Sequence, residues 1–126
     1  MPTPTSKTLE HLRRCQFVCG VVERWLPKID RRKDFLGCID IIAAKRGEVL
    51  GIQATSVSNI SSRLAKAKAI PELRIWLQAA RFEVWGWQRR ESGWVLKRVE
   101  VKGEEMEVTI LEQPGRRKRD SQQTLF

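Results

Sequence analysis

The sequence predicts an α/β domain in which a central mixed β-sheet is flanked by helices. Segments rich in Val, Ile, Phe and Trp have the composition and length of strands, and they alternate with segments whose apolar residues recur at helical spacing. A chain of 126 residues is long enough to form one hydrophobic core. We expect one domain over residues 1–111 and a disordered basic tail over residues 112–126.

The first predicted elements are a helix and a strand. Ser6 can cap a helix over residues 7–16. Residues 17–24 favour extended structure, and Pro27 closes that strand. Residues 28–37 are expected to form a charged loop that leads into the next strand.

A β-hairpin is predicted over residues 38–55. Two apolar segments flank Lys45-Arg46-Gly47-Glu48, in which Gly47 supplies the freedom of φ that a tight turn needs. With the turn centred on Arg46-Gly47, Asp40 faces Gln53. Since side chains alternate along a strand, Thr55 lies on the same sheet face as Gln53.

Asp40 is the first candidate site residue. It lies among isoleucines, so we expect it to be at least half buried, where an unpaired carboxylate is costly. A divalent cation can compensate that cost. Mg²⁺ prefers oxygen ligands, and the Asp40 carboxylate, the Gln53 amide oxygen and the Ala54 carbonyl suit it. The alternative is that Asp40 is an ordinary turn or sheet-edge residue.

Two helices and three strands are expected after the hairpin. Ser58 or Asn59 can cap a helix that ends near Lys68, and Pro71 suits the first turn of a second helix that ends near Ala80. Apolar residues at i, i+4 and i+7 form the inner stripe of the first of these helices. The strands are expected over residues 82–88, 94–101 and 106–111.

Cysteine, histidine and tryptophan residues are assigned structural roles. The cysteines are odd in number and lack CxxC spacing, which argues against a disulfide framework and a zinc site, so they are expected to be small core residues. His11 is expected on a helix surface. The tryptophans of the later strands are expected in the core, with stacking on bases as the alternative; they are Trp85, Trp87 and Trp94.

Several short segments together resemble a known nuclease superfamily. Residues 21–23 read VVE, residues 34–40 read DFLGCID, and the hairpin ends in GIQAT ahead of a helix. This order resembles the PD-(D/E)XK nuclease superfamily, and within it small archaeal-type and phage Holliday junction resolvases. The resemblance covers about residues 6–101 and implies a restriction-endonuclease-like core.

The resemblance implies a metal-dependent DNA endonuclease that is selective for branched DNA such as Holliday junctions, with Mg²⁺ or Mn²⁺ as cofactor. Asp40 corresponds to the Asp of the PD motif, with Ile39 in place of Pro. Gln53 corresponds to the (D/E) position, and Thr55 stands where the catalytic Lys is expected. In resembling nucleases an upstream Glu joins these residues around the cation.

Several residues are candidates for the further acidic ligands and for the cationic side chain that position 55 lacks. Glu23 and Asp34 are the acids of the matching VVE and DFLGCID segments, and Glu10 in the first helix is a rival to Glu23. Thr55 carries no charge, so a Lys from another element has to serve at the phosphate. Lys66 and Lys45 are the candidates, and each has the alternative role of a solvated surface cation.

The charge balance indicates a polyanionic partner. The chain has 24 Lys+Arg against 15 Asp+Glu, a formal net charge of +9, which favours DNA, although a solvated basic surface is the alternative. No apolar run approaches the ~20 residues of a membrane span, and we expect a cytoplasmic protein. The candidate DNA-binding residues are Arg31, Arg32, Lys33, Arg63, Arg116, Arg117, Lys118 and Arg119.

The last five residues, QQTLF, resemble the bacterial sliding-clamp-binding peptide. That resemblance implies that Leu125 and Phe126 are apolar anchors and that Gln122 supplies hydrogen bonds. A frayed terminus is the alternative. The leading hypothesis is a structure-selective endonuclease, with a homodimer suited to twofold DNA. The other hypotheses are a catalytically inactive DNA-binding adaptor tethered to the clamp and an RNA-binding module.

Overall fold

The structure, a computed structural model, describes residues 2–26 and 31–115, with the backbone alone for residues 24–26 and 31–33. Within these ranges the helices are α1 (Pro4–Arg14), α2 (Ile60–Lys68) and α3 (Pro71–Ala79), and a 3₁₀ turn, Val57–Asn59, precedes α2. The strands are β1 (Val18–Val21), β2 (Arg24–Leu26), β3 (Arg31–Lys33), β4 (Ile41–Lys45), β5 (Glu48–Ser56), β6 (Arg81–Arg90), β7 (Gly93–Lys102) and β8 (Glu107–Glu112).

Six strands form one mixed sheet in the order β1-β4-β5-β6-β7-β8. Strands β5 and β6 are parallel because α2 and α3 connect them, and the other neighbours in this sheet are antiparallel. Strands β2 and β3 form a separate antiparallel pair. The predicted α/β class, a mixed sheet flanked by helices, is therefore confirmed.

The two faces of the sheet carry separate parts of the core. On one face, called the α1 face, α1 packs through Leu12 against Ile41, Ile52 and Trp85. On the opposite face, the α2/α3 face, Ile60 and Leu73 pack with core residues that include Ile39, Phe82, Val84 and Val99. Alternation of side chains along β6 separates the two sets.

Gly86 allows α2 to lie close to the sheet. A Cβ atom at this position of β6 would lie 2.4 Å from Ile60 Cδ1 and 3.0 Å from the backbone Cα of Val57. Any side chain would therefore push the start of α2 and the preceding 3₁₀ turn away from the sheet. This contact fixes where the chain leaves β5 and begins α2.

Some predicted element boundaries are wrong. Helix α1 spans Pro4–Arg14 because Thr3, rather than Ser6, is its N-cap, with the Ser6 side chain completing a capping box. The predicted strand over residues 17–24 is divided between β1 and β2, and the predicted loop contains β3. At α2, Asn59 occupies the N-cap position but its side chain makes no capping hydrogen bond.

The structural assignments of individual residues are confirmed in part. Trp85 and Trp87 are buried, and Trp87 Nε1 donates to Thr8 Oγ1 at 2.9 Å. His11, expected on the surface, is half buried because its ring lies edge-on against Trp85. Cys38 is buried as predicted, whereas Cys15 is exposed, since it follows the end of α1. No helix in the described ranges has both the length and the apolar character needed to cross a membrane.

Candidate metal centre

The hairpin of β4 and β5 brings Asp40 and Gln53 together on the α2/α3 side of the sheet. Strand pairing places Ile41 opposite Ile52, and the Asp40 N–H donates to the Ile52 carbonyl at 2.9 Å. The hairpin turns at Arg46-Gly47, where Gly47 has a φ of +71°. Gln53 Nε2 lies 3.1 Å from Asp40 Oδ1 and 3.0 Å from Oδ2, so the predicted facing of the two side chains is confirmed.

Two further carboxylates converge on Asp40. One carboxylate oxygen from each of Glu23, Asp34 and Asp40 lies within 4.8 Å of the others, and we call these residues the acidic cluster. Gln53 Nε2 also lies 3.4 Å from Asp34 Oδ2. Glu23 comes close because the Val22 N–H donates to the Asp40 carbonyl at 2.8 Å, which continues the β1–β4 pairing by one step.

A tight turn holds Asp34 beside Asp40. The Gly37 N–H donates to the Asp34 carbonyl at 3.0 Å, and Phe35 and Ile39 form an isolated antiparallel bridge. The turn requires left-handed backbone at Leu36, with a φ of 57°, and at Gly37, with a φ of 84°. The DFLGCID segment thus reverses the direction of the chain, and this reversal brings Asp34 and Asp40 into one site.

Burial and neighbouring acids change the acidity of Asp40. Its side chain is 4% exposed, and this burial is the largest cause that raises the pKa of Asp40 to about 7. The Ala54 N–H, which donates to Oδ2 at 2.9 Å, opposes the rise. A hydrogen bond with Asp34 and the charges of Asp34 and Glu23 raise the pKa further. Near neutral pH, therefore, Asp40 readily gains or loses a proton.

Gln53 provides a test of whether the cluster suits a cation. Its side chain is 3% exposed, and its Oε1 atom has no hydrogen-bond partner among the described residues. A buried acceptor without a partner costs about 1–3 kcal/mol. Rotation of the amide by 180° exchanges Oε1 with Nε2, which already lies against Asp34 and Asp40. The side chain can thus present either a donor to the carboxylates or an oxygen ligand to a cation, and the donor set fits Mg²⁺ or Mn²⁺.

Lys66 lies near this site but outside the acidic cluster. It is exposed on α2, and its charge lowers the pKa of the Cys38 thiol, which burial raises to about 12. The charges of Asp34 and Asp40 raise the pKa of the same thiol. Lys66, Asp34 and Asp40 are therefore all close enough to Cys38 to affect its pKa. Thr55, at the position expected for Lys, is buried and uncharged.

Other predicted candidates lie elsewhere. Glu10 belongs to the α1 side of the molecule, where its carboxylate lies 3.9 Å from Lys7 Nζ and 3.7 Å from an Arg14 nitrogen. Glu23, rather than Glu10, therefore joins Asp40. Lys45 Nζ donates to the Cys15 carbonyl at 2.8 Å, which ties it to the region that follows α1.

The predicted nucleic-acid and partner contacts are only partly described. Arg63 is half buried on α2. The side chains of residues 31–33 and the whole of residues 116–126 lie outside the described residues, so the basic tail and its terminal peptide stay predictions.

An ionic network on the α1 face was absent from the sequence predictions. Arg81 donates to Glu48, to Glu83 at 2.7 Å and to Glu100 at 2.9 Å, and Arg98 donates to Glu83 at 3.0 Å. Glu83 and Glu100 are buried opposite each other on β6 and β7. The available signal was the repeated Arg-x-Glu pattern at 81–83 and 98–100, which places each pair on one face of its strand.

Comparison with known proteins identifies no relative. No protein-family model, no curated protein and no solved structure matches the chain.

Proposed function

We propose that this protein is a metal-dependent DNA endonuclease with a PD-(D/E)XK core that acts on branched DNA in the manner of a Holliday junction resolvase. The observation that carries the proposal is the acidic cluster, to which separate chain segments contribute Glu23, Asp34 and Asp40, with the buried Gln53 amide against it. Ligands gathered from a hairpin, a turn and the end of a strand pair are typical of a cation site rather than of a surface patch.

In this proposal Asp40, Glu23 and Gln53 hold the cation, and Asp34 completes the negative charge around it. Bound Mg²⁺ or Mn²⁺ would supply Lewis-acid stabilisation of the phosphate and a more acidic water. Asp40 loses its proton to become a ligand, and the Ala54 N–H keeps that carboxylate oriented. Gln53 would offer Oε1 as a ligand to the cation if its amide were rotated by 180°.

Lys66 supplies positive charge at the phosphate in place of the absent Lys at position 55. It lies on α2, which follows β5 after one 3₁₀ turn, and its charge affects the pKa of Cys38, two residues before Asp40. The long flexible side chain of Lys suits a role as a mobile point charge. Arg63, one turn earlier on α2, would be a further phosphate contact.

A cleavage assay tests the proposal. The protein is incubated with four-way junction, flap, duplex and single-stranded DNA, with Mg²⁺, Mn²⁺ or EDTA. We expect metal-dependent cutting of branched DNA by the wild type, none by Asp40→Asn, and a large loss with Lys66→Ala. Glu10→Gln is the matched control, because Glu10 is an acid outside the acidic cluster, and it should cut normally. Full cleavage by Lys66→Ala would remove Lys66 from the mechanism.

Metal binding is measured separately from cleavage. Thermal unfolding with and without Mn²⁺ should show an upward shift for the wild type and for Glu10→Gln, and none for Asp40→Asn. Equal shifts in all three proteins would place the cation outside the acidic cluster.

The second candidate function is a DNA-binding adaptor that has lost hydrolysis. The observation that favours it is Thr55, which is buried and uncharged at the position expected for the catalytic Lys. Binding of branched DNA without any cutting, in either metal, would support the adaptor and refute the enzyme. Deletion of residues 122–126 tests the tether, since it should abolish binding to a bacterial sliding clamp while DNA binding persists. Dimer formation is tested by sedimentation of the protein with and without a four-way junction.

A further inference from the structure

We propose that Phe35 contacts an unpaired base of the DNA next to the acidic cluster, and that this contact selects DNA with unstacked bases. The inference rests on the proposed function, since it assigns the substrate class of the same site. It concerns one aromatic side chain that the core does not use.

Phe35 is exposed where a buried aromatic residue would be the norm. Its side chain is 42% exposed, although it is large and apolar. The ring meets Trp76 edge-to-face, with centroids 6.0 Å apart and planes at 69°, and this contact leaves much of the ring accessible to solvent. An accessible aromatic face is a platform on which a base can stack.

The position of the ring is fixed by its backbone and by its neighbour. The Phe35 N–H donates to the Ile39 carbonyl and the Ile39 N–H donates to the Phe35 carbonyl, both at 2.9 Å. Trp76 is itself held by a hydrogen bond from Nε1 to the Arg81 carbonyl at 2.8 Å. Little conformational entropy is therefore lost when a base stacks on Phe35, which favours binding.

The ring is adjacent to the proposed site of phosphate chemistry. Phe35 directly follows Asp34, and its bridge partner Ile39 directly precedes Asp40, so one tight turn carries the aromatic ring and two of the three acids. A base is joined to its phosphate through a single sugar, so a nucleotide bound at the acidic cluster has its base within reach of this turn. Bases inside a duplex are already stacked, and only unpaired bases are available to Phe35.

Val108 is an exposed apolar residue that does not share this placement. Val108 is 40% exposed on β8, at the far edge of the sheet from β1 and β4. Its exposure matches that of Phe35, but it lies in no turn shared with an acid of the cluster. Val108→Ala is therefore the matched control for removal of an exposed apolar side chain.

The test compares binding of unpaired and duplex DNA in Ca²⁺, measured by fluorescence anisotropy with labelled oligonucleotides. Phe35→Ala should weaken binding of single-stranded DNA and of branched DNA that carries unpaired bases, such as a flap, roughly tenfold, and Phe35→Trp should retain it. Duplex binding should stay near the wild-type value in both variants. Val108→Ala should leave all affinities unchanged, and thermal unfolding checks that each variant is folded.

The outcomes separate this inference from the proposed function. If Phe35→Ala binds and cuts every substrate as the wild type does, the inference is overturned while the endonuclease stands. The inference is also overturned if Phe35→Ala loses affinity equally for duplex and for unpaired DNA. The same holds if the variant loses affinity only for an RNA strand of the same sequence. A wild type that neither binds nor cuts DNA refutes the proposed function itself and, with it, the role of Phe35.

Discussion

Replacement of Asp40 by Asn should make the protein more stable near neutral pH in the absence of divalent cations. Asn is neutral at every pH, so it imitates the protonated carboxyl group that the site favours. Its Oδ1 can still accept from the Ala54 N–H, and its amide can donate to Asp34. The variant therefore removes the charge and keeps the shape and these two hydrogen bonds. The Gln53 amide, which donates to both Asp40 oxygens, has to turn so that its Oε1 accepts from the new amide.

The size of the effect follows from the shift in pKa. The pKa of Asp40 rises from 3.8 to about 7 in the folded protein, chiefly through burial, and at ~1.4 kcal/mol per pH unit this is on the order of 4 kcal/mol. From about pH 4 to about pH 7 the folded state binds more protons at Asp40 than the unfolded chain does. Wild-type stability relative to Asp40→Asn is thus equal below this window and falls as the pH rises through it.

Urea unfolding in EDTA, at several pH values from about 4 to 8, measures this difference. The free energy of unfolding of Asp40→Asn minus that of the wild type should rise with pH and level off above about pH 7. Adding Mn²⁺ at about pH 8 should raise the free energy of unfolding of the wild type and leave that of Asp40→Asn unchanged, because a cation compensates the charge of the carboxylates. Glu10→Gln is the control and should show no comparable trend. A difference that stays constant with pH would refute the reasoning.

Three further predictions concern stability and are read by urea unfolding. Gly86→Ala should cost about 1–3 kcal/mol through its clash with α2, whereas Gly20→Ala, with open space around the new Cβ, should cost far less, and equal costs would contradict this account. Arg81→Met should cost roughly 3 kcal/mol because it removes the cation that bridges the buried Glu83 and Glu100, which keep only Arg98 and Lys102 as partners. An unchanged free energy of unfolding would count against this account. Thr8→Val should cost about 1–2 kcal/mol because it removes the acceptor of Trp87 Nε1, and Thr8→Ser should restore most of that loss.

Local rules were enough to predict the hairpin and the pair at its centre. The turn at Gly47 and the period of two along each strand determine the register, and the register determines that Asp40 faces Gln53. The same reasoning predicted the inner face of α2, since its apolar spacing is regular. Each of these features depends on residues close together in the chain.

Features that depend on distant parts of the chain were beyond this reasoning. The choice between Glu10 and Glu23 depends on how β1 pairs with β4, and no short motif encodes that pairing. Residues 28–37, predicted as a loop, contain β3 because this segment pairs with β2, which precedes it in the chain. The burial of Glu83 could not be predicted from β6 alone, because one of its two cationic partners, Arg98, lies on the neighbouring β7.

The acidic cluster bears on the choice between enzyme and adaptor. Three carboxylates beside a proposed DNA surface repel phosphates, and burying Asp40 among them opposes folding once it is ionised. A protein that only binds DNA gains nothing from this arrangement, since neutral side chains at these positions would improve both stability and affinity. A cation reverses both effects, because it satisfies the carboxylates and attracts the phosphate. The presence of the cluster in a chain with a formal net charge of +9 therefore supports the proposed metal-dependent chemistry, in which Lys66 would supply the positive charge that Thr55 lacks.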